Sequence, residues 1–393
     1  MQALRGRTIV MFSSLFLLAL TFLFFCPIQA QADGGAPNLA YVSSTSQGVS
    51  VIDVMQRQVV ATLSVTGNPA TILLSSDGRL LYVTQPNLGR LTVIAAKTRQ
   101  VFCTRSLPGH PSLLALDPGM NILYVAGDQS NLVTALDPTT CDVQRTLQVS
   151  SPVSGLAVAV IGGGLIGGVD DQLWVANAGI LNIFDTNGKQ RATIPLPEEP
   201  HYLSIPTQES AYVTTRQGSV LAVDVNTHRI SQPLLTSGNF GPMDYDATTG
   251  EVYVPDQQHD LVDVLTPVSV GSTPLPHEPE RSLQFTGVPQ SVAITNDGRL
   301  GFVALENGEV VMLDLPARQI ISTIKVGGHP RFVITGAYPA LIQLTPQQSK
   351  LLNLLSGVAE FAAIGIFVVF ALITLLRRAK LRKSLPPRPN KQE

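Results

Sequence analysis

The chain has 393 residues, 45% of them hydrophobic, with 26 basic and 28 acidic residues and a formal charge of −2. The near balance hides an asymmetry: 17 basic and 26 acidic residues lie between Asp33 and Lys350, a balance of −9, while seven basic residues follow Leu376. An acidic body repels phosphate backbones, which argues against nucleic acid as a partner.

Residues 1–32 begin with Arg5 and Arg7, run through an apolar stretch from Ile9 to Phe25 and end in Ala30-Gln31-Ala32. That order is the order of a secretory signal peptide cut after Ala32. An uncleaved signal anchor is the alternative. Lipidation at Cys26 is disfavoured because bulky Phe25 stands where a small residue is needed.

From Asp33 onward the chain repeats. An aromatic residue followed by Val recurs as Tyr41-Val42, Tyr82-Val83, Tyr124-Val125, Trp174-Val175, Tyr212-Val213, Tyr253-Val254 and Phe302-Val303, at intervals of 41, 42, 50, 38, 41 and 49 residues. A period near 40 marks stacked supersecondary units. The second unit is the clearest. Asn68-Pro69 leads to four short apolar and β-branched runs, Ala70–Ser75, Leu80–Thr84, Leu91–Ala95 and Val101–Leu107, parted by Asp77-Gly78 and polar turns. This pattern predicts a four-stranded antiparallel meander, with strands A to D. The Asp residues of Asp77-Gly78, Asp117-Pro118-Gly119, Asp246 to Gly250 and Asn296-Asp297-Gly298 are expected to form A–B turns, where Asp bonds the backbone amides ahead of it. Asp53, Asp137, Asp185, Asp224 and Asp314 end the C strands and are expected to cap the turns into strand D.

The series of Gly-x-Pro start, Asp-Gly turn, Tyr-Val strand and Val-x-Val-Ile-Asp strand resembles the YVTN-type β-propeller repeat over about residues 39 to 336. The likeness is strong in units 1, 2, 3, 5 and 7 and degraded in 4 and 6. It implies an all-β fold, a seven-bladed β-propeller of the broad WD40-like kind, and a surface or envelope repeat protein. The ends argue for the same ring. Leu39 to Ser43 is a B strand with no A strand before it, and Arg331 to Thr335 reads as an A strand with no B strand after it. Joining them closes the circle and removes exposed strand edges. Six and eight blades are the alternatives.

Two insertions interrupt the repeat: the Gly-rich 161–171 and the Pro-rich 266–280. The first lacks the Lys-Ser/Thr of a phosphate loop and opens no helix, so nucleotide binding is disfavoured. Cys103 and Cys141 are candidates for a disulfide in an exported chain, although their places in the D-strand pattern differ by two residues. His110, His201 and His329 stand beside the Pro that starts an A strand, where Asn68, Ser151, Gly241 and Val288 stand in the other blades. With Arg331 they are the candidate ligand-binding residues of the channel mouth. Neither a metal site nor a catalytic grouping stands out, and no cofactor is expected. The acidic groups Asp170-Asp171, Glu198-Glu199, Asp256 with Asp260 and Asp263, and Glu278 with Glu280 are expected to form a solvated rim, with calcium as the alternative.

After a linker at 337–350, residues 351–376 form the expected transmembrane helix, nearly free of charge from Leu354 to Leu376. At 1.5 Å per residue this length crosses about 30 Å of hydrocarbon. Glu360 lies in its first turns, and Ala359 with Ala363 offers a small-residue contact. Arg377, Arg378, Lys380, Arg382 and Lys383 open the basic tail 377–393 and place it in the cytoplasm by the positive-inside rule. The domain order is thus signal peptide 1–32, propeller 33–336, linker, single-pass helix and tail, with the propeller on the extracytoplasmic side of the cell membrane. The expected function is non-enzymatic binding of a protein, glycan or envelope component. The alternatives are a propeller enzyme of the lactonase or cofactor-binding type working at the channel mouth, and a sensor acting through the tail.

Overall fold

The computed structural model describes residues 38–161, 170–206, 209–271 and 279–336. The expected signal peptide, linker, membrane helix and tail lie outside these residues, as do the centres of both insertions. Among the described residues no helix is long and apolar enough to cross a membrane.

Blade 1 holds β1 (Leu39–Thr45), β2 (Gly48–Asp53) and β3 (Gln58–Ser64), and blade 2 holds β4 (Ile72–Leu74), β5 (Leu80–Gln85), β6 (Arg90–Ala95) and β7 (Val101–Ser106). Blade 3 has β8 (Pro111–Asp117), β9 (Ile122–Gly127), β10 (Leu132–Leu136) and β11 (Val143–Gln148); blade 4 has β12 (Gly155–Ala159), β13 (Gln172–Asn177), β14 (Ile180–Asp185) and β15 (Gln190–Pro195). Blade 5 has β16 (Pro200–Ser204), β17 (Ser210–Thr215) and β18 (Val220–Asp224), and blade 6 has β19 (Asp244–Tyr245), β20 (Val252–Asp256), β21 (Leu261–Leu265) and β22 (Arg281–Gln284). Blade 7 has β23 (Pro289–Ile294), β24 (Leu300–Leu305), β25 (Glu309–Asp314) and β26 (Gln319–Lys325), and β27 (Val333–Thr335) follows. The blades are seven antiparallel sheets, and the last strand returns to the first, giving the order β27-β1-β2-β3. The fold is a seven-bladed β-propeller.

The closure is in register. Ala40 faces Thr335, Tyr41 faces Ile334 and Val42 faces Val333. Ser43 N–H donates to the Phe332 carbonyl at 2.8 Å, and Gly336 N–H donates to that of Leu39 at 2.8 Å. Gly328 makes the approach possible: its φ is +70°, and a Cβ there would come within 2.6 Å of the Ser46 nitrogen. Only glycine tolerates both conditions without strain.

The repeated aromatic explains why the period exists. Seven apolar clusters fill the seven gaps between blades, and each contains one residue of the series: Tyr41, Tyr82, Tyr124, Trp174, Tyr212, Tyr253 or Phe302. All seven are at most 2% exposed. Such side chains each bury about 150–250 Å², enough to wedge a gap between twisted sheets. Their polar atoms are largely met: Arg145 donates to Tyr124 Oη at 3.0 Å, Val268 N–H to Tyr212 Oη at 3.1 Å, and Trp174 Nε1 to Gln172 at 3.1 Å.

The Asp turns form as expected. Asp137 accepts from the N–H groups of Thr139 and Thr140, Asp185 from Asn187 and Lys189, and Asp224 from Asn226 and Thr227, all at 2.6–3.1 Å. Asp77 and Asp297 each accept from the N–H two residues on at 3.1 Å.

Blade 5 departs from the expected four regular strands. Its outer segment meets β18 through bonds between Ser231 and Ala222 and through bridges at Leu235 and Ile230, rather than through a continuous ladder. Pro233 sits between them without a backbone donor, which explains the missing ladder.

The solvated acidic rim also needs correction. Asp171, Asp256 and Asp263 are at most 6% exposed. Asp171 accepts from Ile161 N–H at 2.8 Å, Asp256 from the N–H groups of Asn239 and Gln258, and Asp263 from Ser282 Oγ at 2.6 Å. Asp171 and Asp256 tie down loop residues, and Asp263 bonds across the β21–β22 pair. Glu278 lies outside the described residues, and among those described no group of three His, Cys, Asp or Glu residues can hold a metal.

Asp171 also meets Asp117 of blade 3, which is 2% exposed. Burial first, and then the Asp171 charge and hydrogen bond, push the Asp117 carboxyl up to about 6. The folded state therefore holds a proton that the unfolded chain releases near pH 4. The resulting stability is present below that value and is lost as pH rises through about 6. Asp117→Asn, which keeps an acceptor for Met120 N–H, is expected to stabilise the protein at pH 7.5 by roughly 1–2 kcal/mol and to have little effect at pH 4.5. Urea denaturation of both proteins at the two pH values checks it.

Candidate functional site

The A strands are innermost, so their first residues ring the end of the central channel. A cavity of about 350 Å³ opens there, and all seven blades contribute to its wall. Two sequence positions recur in it. One is the residue just after the Pro that starts strand A: Ala70, Ser112, Val153, His201, Gln290 and Arg331. The other is the fourth residue after the repeat aromatic, on the B–C turn: Pro86, Asp128, Arg216 and Gln257.

Three of the four candidate residues meet here. His201 and Arg331 occupy the post-proline position, and His110 enters from the position before Pro111. His329 does not line the cavity: its side chain is exposed and its N–H donates to the Ser44 carbonyl at 3.0 Å. The cause is a shift in backbone conformation. Gly67-Asn68 and Gly109-His110 are pairs with positive φ, and these bring Asn68 and His110 to the mouth. In blade 1 the pair is Gly327-Gly328, so His329 falls one residue past it.

The two mouth histidines have different surroundings. His110 Nδ1 lies 2.8 Å from Asp128 Oδ1, which orients the ring. His201 packs on Tyr202, with ring centroids 4.1 Å apart and planes tilted by 38°. Burial, followed by the positive Arg216 beside it, holds His201 below the usual imidazole range, so it is neutral at pH 7.

Two guanidinium groups, from blades 5 and 1, line the same cavity as Tyr202. The Tyr202 hydroxyl is pushed up by burial, against the opposing fields of Arg331 and Arg216. Arg216 pairs with Glu199, Nε to Oε1 at 3.1 Å. Arg331 has no ion-pair partner among the described residues, and its side chain is exposed to the cavity. The arrangement is an aromatic floor flanked by positive charge and amide side chains, suited to holding a polar ligand.

Arg216, Tyr202, Asp128 and Gln257 were not among the expected site residues. The fixed offset from the repeat aromatic carried the signal for three of them.

Cys103 in β7 and Cys141 before β11 are bonded, with Cα atoms 6.3 Å apart. The two-residue mismatch in the D-strand pattern is no obstacle because Cys141 lies in the C–D turn, at φ +62°, rather than in the strand. Its N–H donates to the Asp137 carbonyl at 2.9 Å, and its own carbonyl accepts from Arg105 Nε at 2.9 Å.

No family model and no curated relative matches the chain. Solved structures do. Dihydro-heme d1 dehydrogenase NirN in complex with DHE aligns with a TM-score of 0.58 at 15% identity, covering 81% of this chain and 79% of that one. The β-propeller domain of Cps50 (Swd1) from Myceliophteria thermophila aligns at 0.56 and 14%, over 68% of this chain and 88% of its own. Kuenenia stuttgartiensis hydrazine synthase aligns at 0.55 and 15%, over 70% and 92%. At these identities the likeness establishes the propeller fold alone.

Proposed function

We propose that the chain is an exported YVTN-type propeller, held to the outer face of the cell membrane by residues 351–376, that binds an envelope component at its channel mouth without catalysis. The mouth cavity carries this reading, because seven blades converge on it and bring exposed polar side chains together. Three features support export and anchoring: the leader 1–32, the apolar segment with its basic tail, and the Cys103–Cys141 bond, a linkage that persists in oxidising compartments.

The test is affinity capture with the full-length chain, extracted from its native membrane in mild detergent. Wild type is expected to recover an envelope component, and Ser112→Trp, which fills the mouth, is expected to recover at least tenfold less. Equal recovery by both proteins, or none by wild type, contradicts the proposal.

The second reading is an enzyme or a cofactor-holding propeller. Its support is His110, whose ring is oriented by Asp128 as a general base or ligand would be, together with the fold it shares with a dehydrogenase in complex with DHE. A visible absorption band, a stoichiometric metal or lactone hydrolysis by the purified chain would favour it over the first.

A further inference from the structure

Taking the mouth as a binding site, the geometry points to its ligand class: we infer that it takes an acidic sugar residue, a hexuronate, with the carboxylate at Arg331 and the ring over Tyr202.

Charge is the first part of the argument. Around an acidic body, the mouth gathers Arg216, paired with Glu199, and Arg331, which has no ion-pair partner among the described residues, while the carboxylate in its lining, Asp128, is met by His110. A guanidinium held by a rigid ring and left open to a cavity matches a carboxylate in two parallel hydrogen bonds, stronger than neutral ones. The negative body acts weakly at this distance, since fields between exposed charges fade within about 8 Å at physiological salt.

Shape is the second part. Tyr202 and the adjoining His201 form a tilted aromatic pair, and Phe332 stands beside Arg331 in the same wall. The C–H face of a pyranose packs on such surfaces, because an aromatic ring is apolar on its face and tolerates polar groups at its edge. His201 is neutral, so it adds an apolar and hydrogen-bonding surface rather than charge.

Hydrogen bonding is the third. Asn87, Ser112 and Gln290 line the cavity, and their side chains have no hydrogen-bond partner among the described residues. Short amides and hydroxyls that both donate and accept match the hydroxyl groups of a sugar. A volume of about 350 Å³ is at the small end of ligand pockets, which run from ~300 to 1,000 Å³. It suits one sugar unit, free or at the end of a glycan, and is too small for a folded domain.

Three probes that differ only at C6 test the inference on the full-length chain in detergent: D-glucuronate, D-glucose and D-glucose 6-phosphate, titrated by saturation-transfer NMR. Glucuronate is expected to bind saturably, and glucose at least tenfold more weakly. Arg331→Gln is expected to weaken glucuronate at least tenfold with an unchanged melting temperature, whereas Arg99→Gln, remote from the mouth, leaves it unaltered. A uronate tetramer that binds more tightly than the monomer assigns the site to a glycan end, and equal binding assigns it to a free acid sugar.

The inference is overturned if glucose binds as well as glucuronate, if only the phosphate binds, or if Arg331→Gln has no effect. If no sugar binds while capture by wild type still exceeds capture by Ser112→Trp, the ligand class is wrong and the binding reading stands. If that difference also disappears, both fall.

Discussion

Val333→Asp is expected to remove the folded ring altogether at 25 °C, or to lower its stability by more than about 4 kcal/mol, the range reached when an unpaired charge is buried. Val333 is 1% exposed and packs with Ala40, Val42, Phe302 and Met312 in the gap between blades 7 and 1. It is also the residue whose backbone registers against Val42. A carboxylate there has no cation beside it. It must either stay neutral far above its usual range or pull β27 off β1. The second course exposes both strand edges at once and uncouples the N-terminal three strands of blade 1 from the rest. Val60→Asp, on the half-exposed β3, is the control and is expected to stay within about 0.5 kcal/mol of wild type. Equal effects of the two substitutions in urea denaturation would show that β27 does not hold the ring.

Reducing the Cys103–Cys141 bond, or replacing both residues by Ser, is expected to lower stability by about 2–4 kcal/mol. The bond closes a loop with a sequence separation of 38. It joins β7 of blade 2 to the C–D turn of blade 3, at the margin of the apolar cluster between the two blades. Arg105 already spans the same gap through the Cys141 carbonyl. The double Ser variant therefore loses the covalent link and keeps the Arg105 contacts to the backbone carbonyl at position 141 and to Asp142, so the loss should fall within that range rather than beyond it. Melting in the presence and absence of reductant, with the Ser variant insensitive to reductant, checks the assignment.

What could be read from the residues and what could not divide along physical lines. The aromatic–valine pairs revealed the blade count because each inter-blade gap needs one large apolar wedge, and Tyr41 through Phe302 supply one apiece. The Asp turns were legible because an Asp bonding amides two or three residues ahead is a local event. Closure followed from a leftover B strand and a leftover A strand. The mouth was harder. Which side chain enters it depends on φ values near Pro69, Pro111 and Pro330, and a one-residue shift of the left-handed pair takes His329 out while Arg331 stays. The burial of Asp171, Asp256 and Asp263 is not legible in the residues because most of their partners, with His259 beside Asp256 the main exception, are backbone amides and hydroxyls, which carry no charge pattern. The disulfide pair was visible as the two cysteines of the body, and the mismatch of their places in the D-strand pattern is no obstacle because Cys141 lies in a turn. Blade 5 lost its regular outer strand to Pro233, a signal that was present in the sequence.

The most direct test of the mouth as the working surface is site-specific photo-crosslinking in the native membrane. A photoreactive amino acid placed at Ser112, inside the mouth, is expected to yield a discrete adduct. The same group at Gln319, exposed on the outer strand of blade 7, is expected to yield none. Adducts at Gln319 alone, or equal labelling at both positions, would contradict the account.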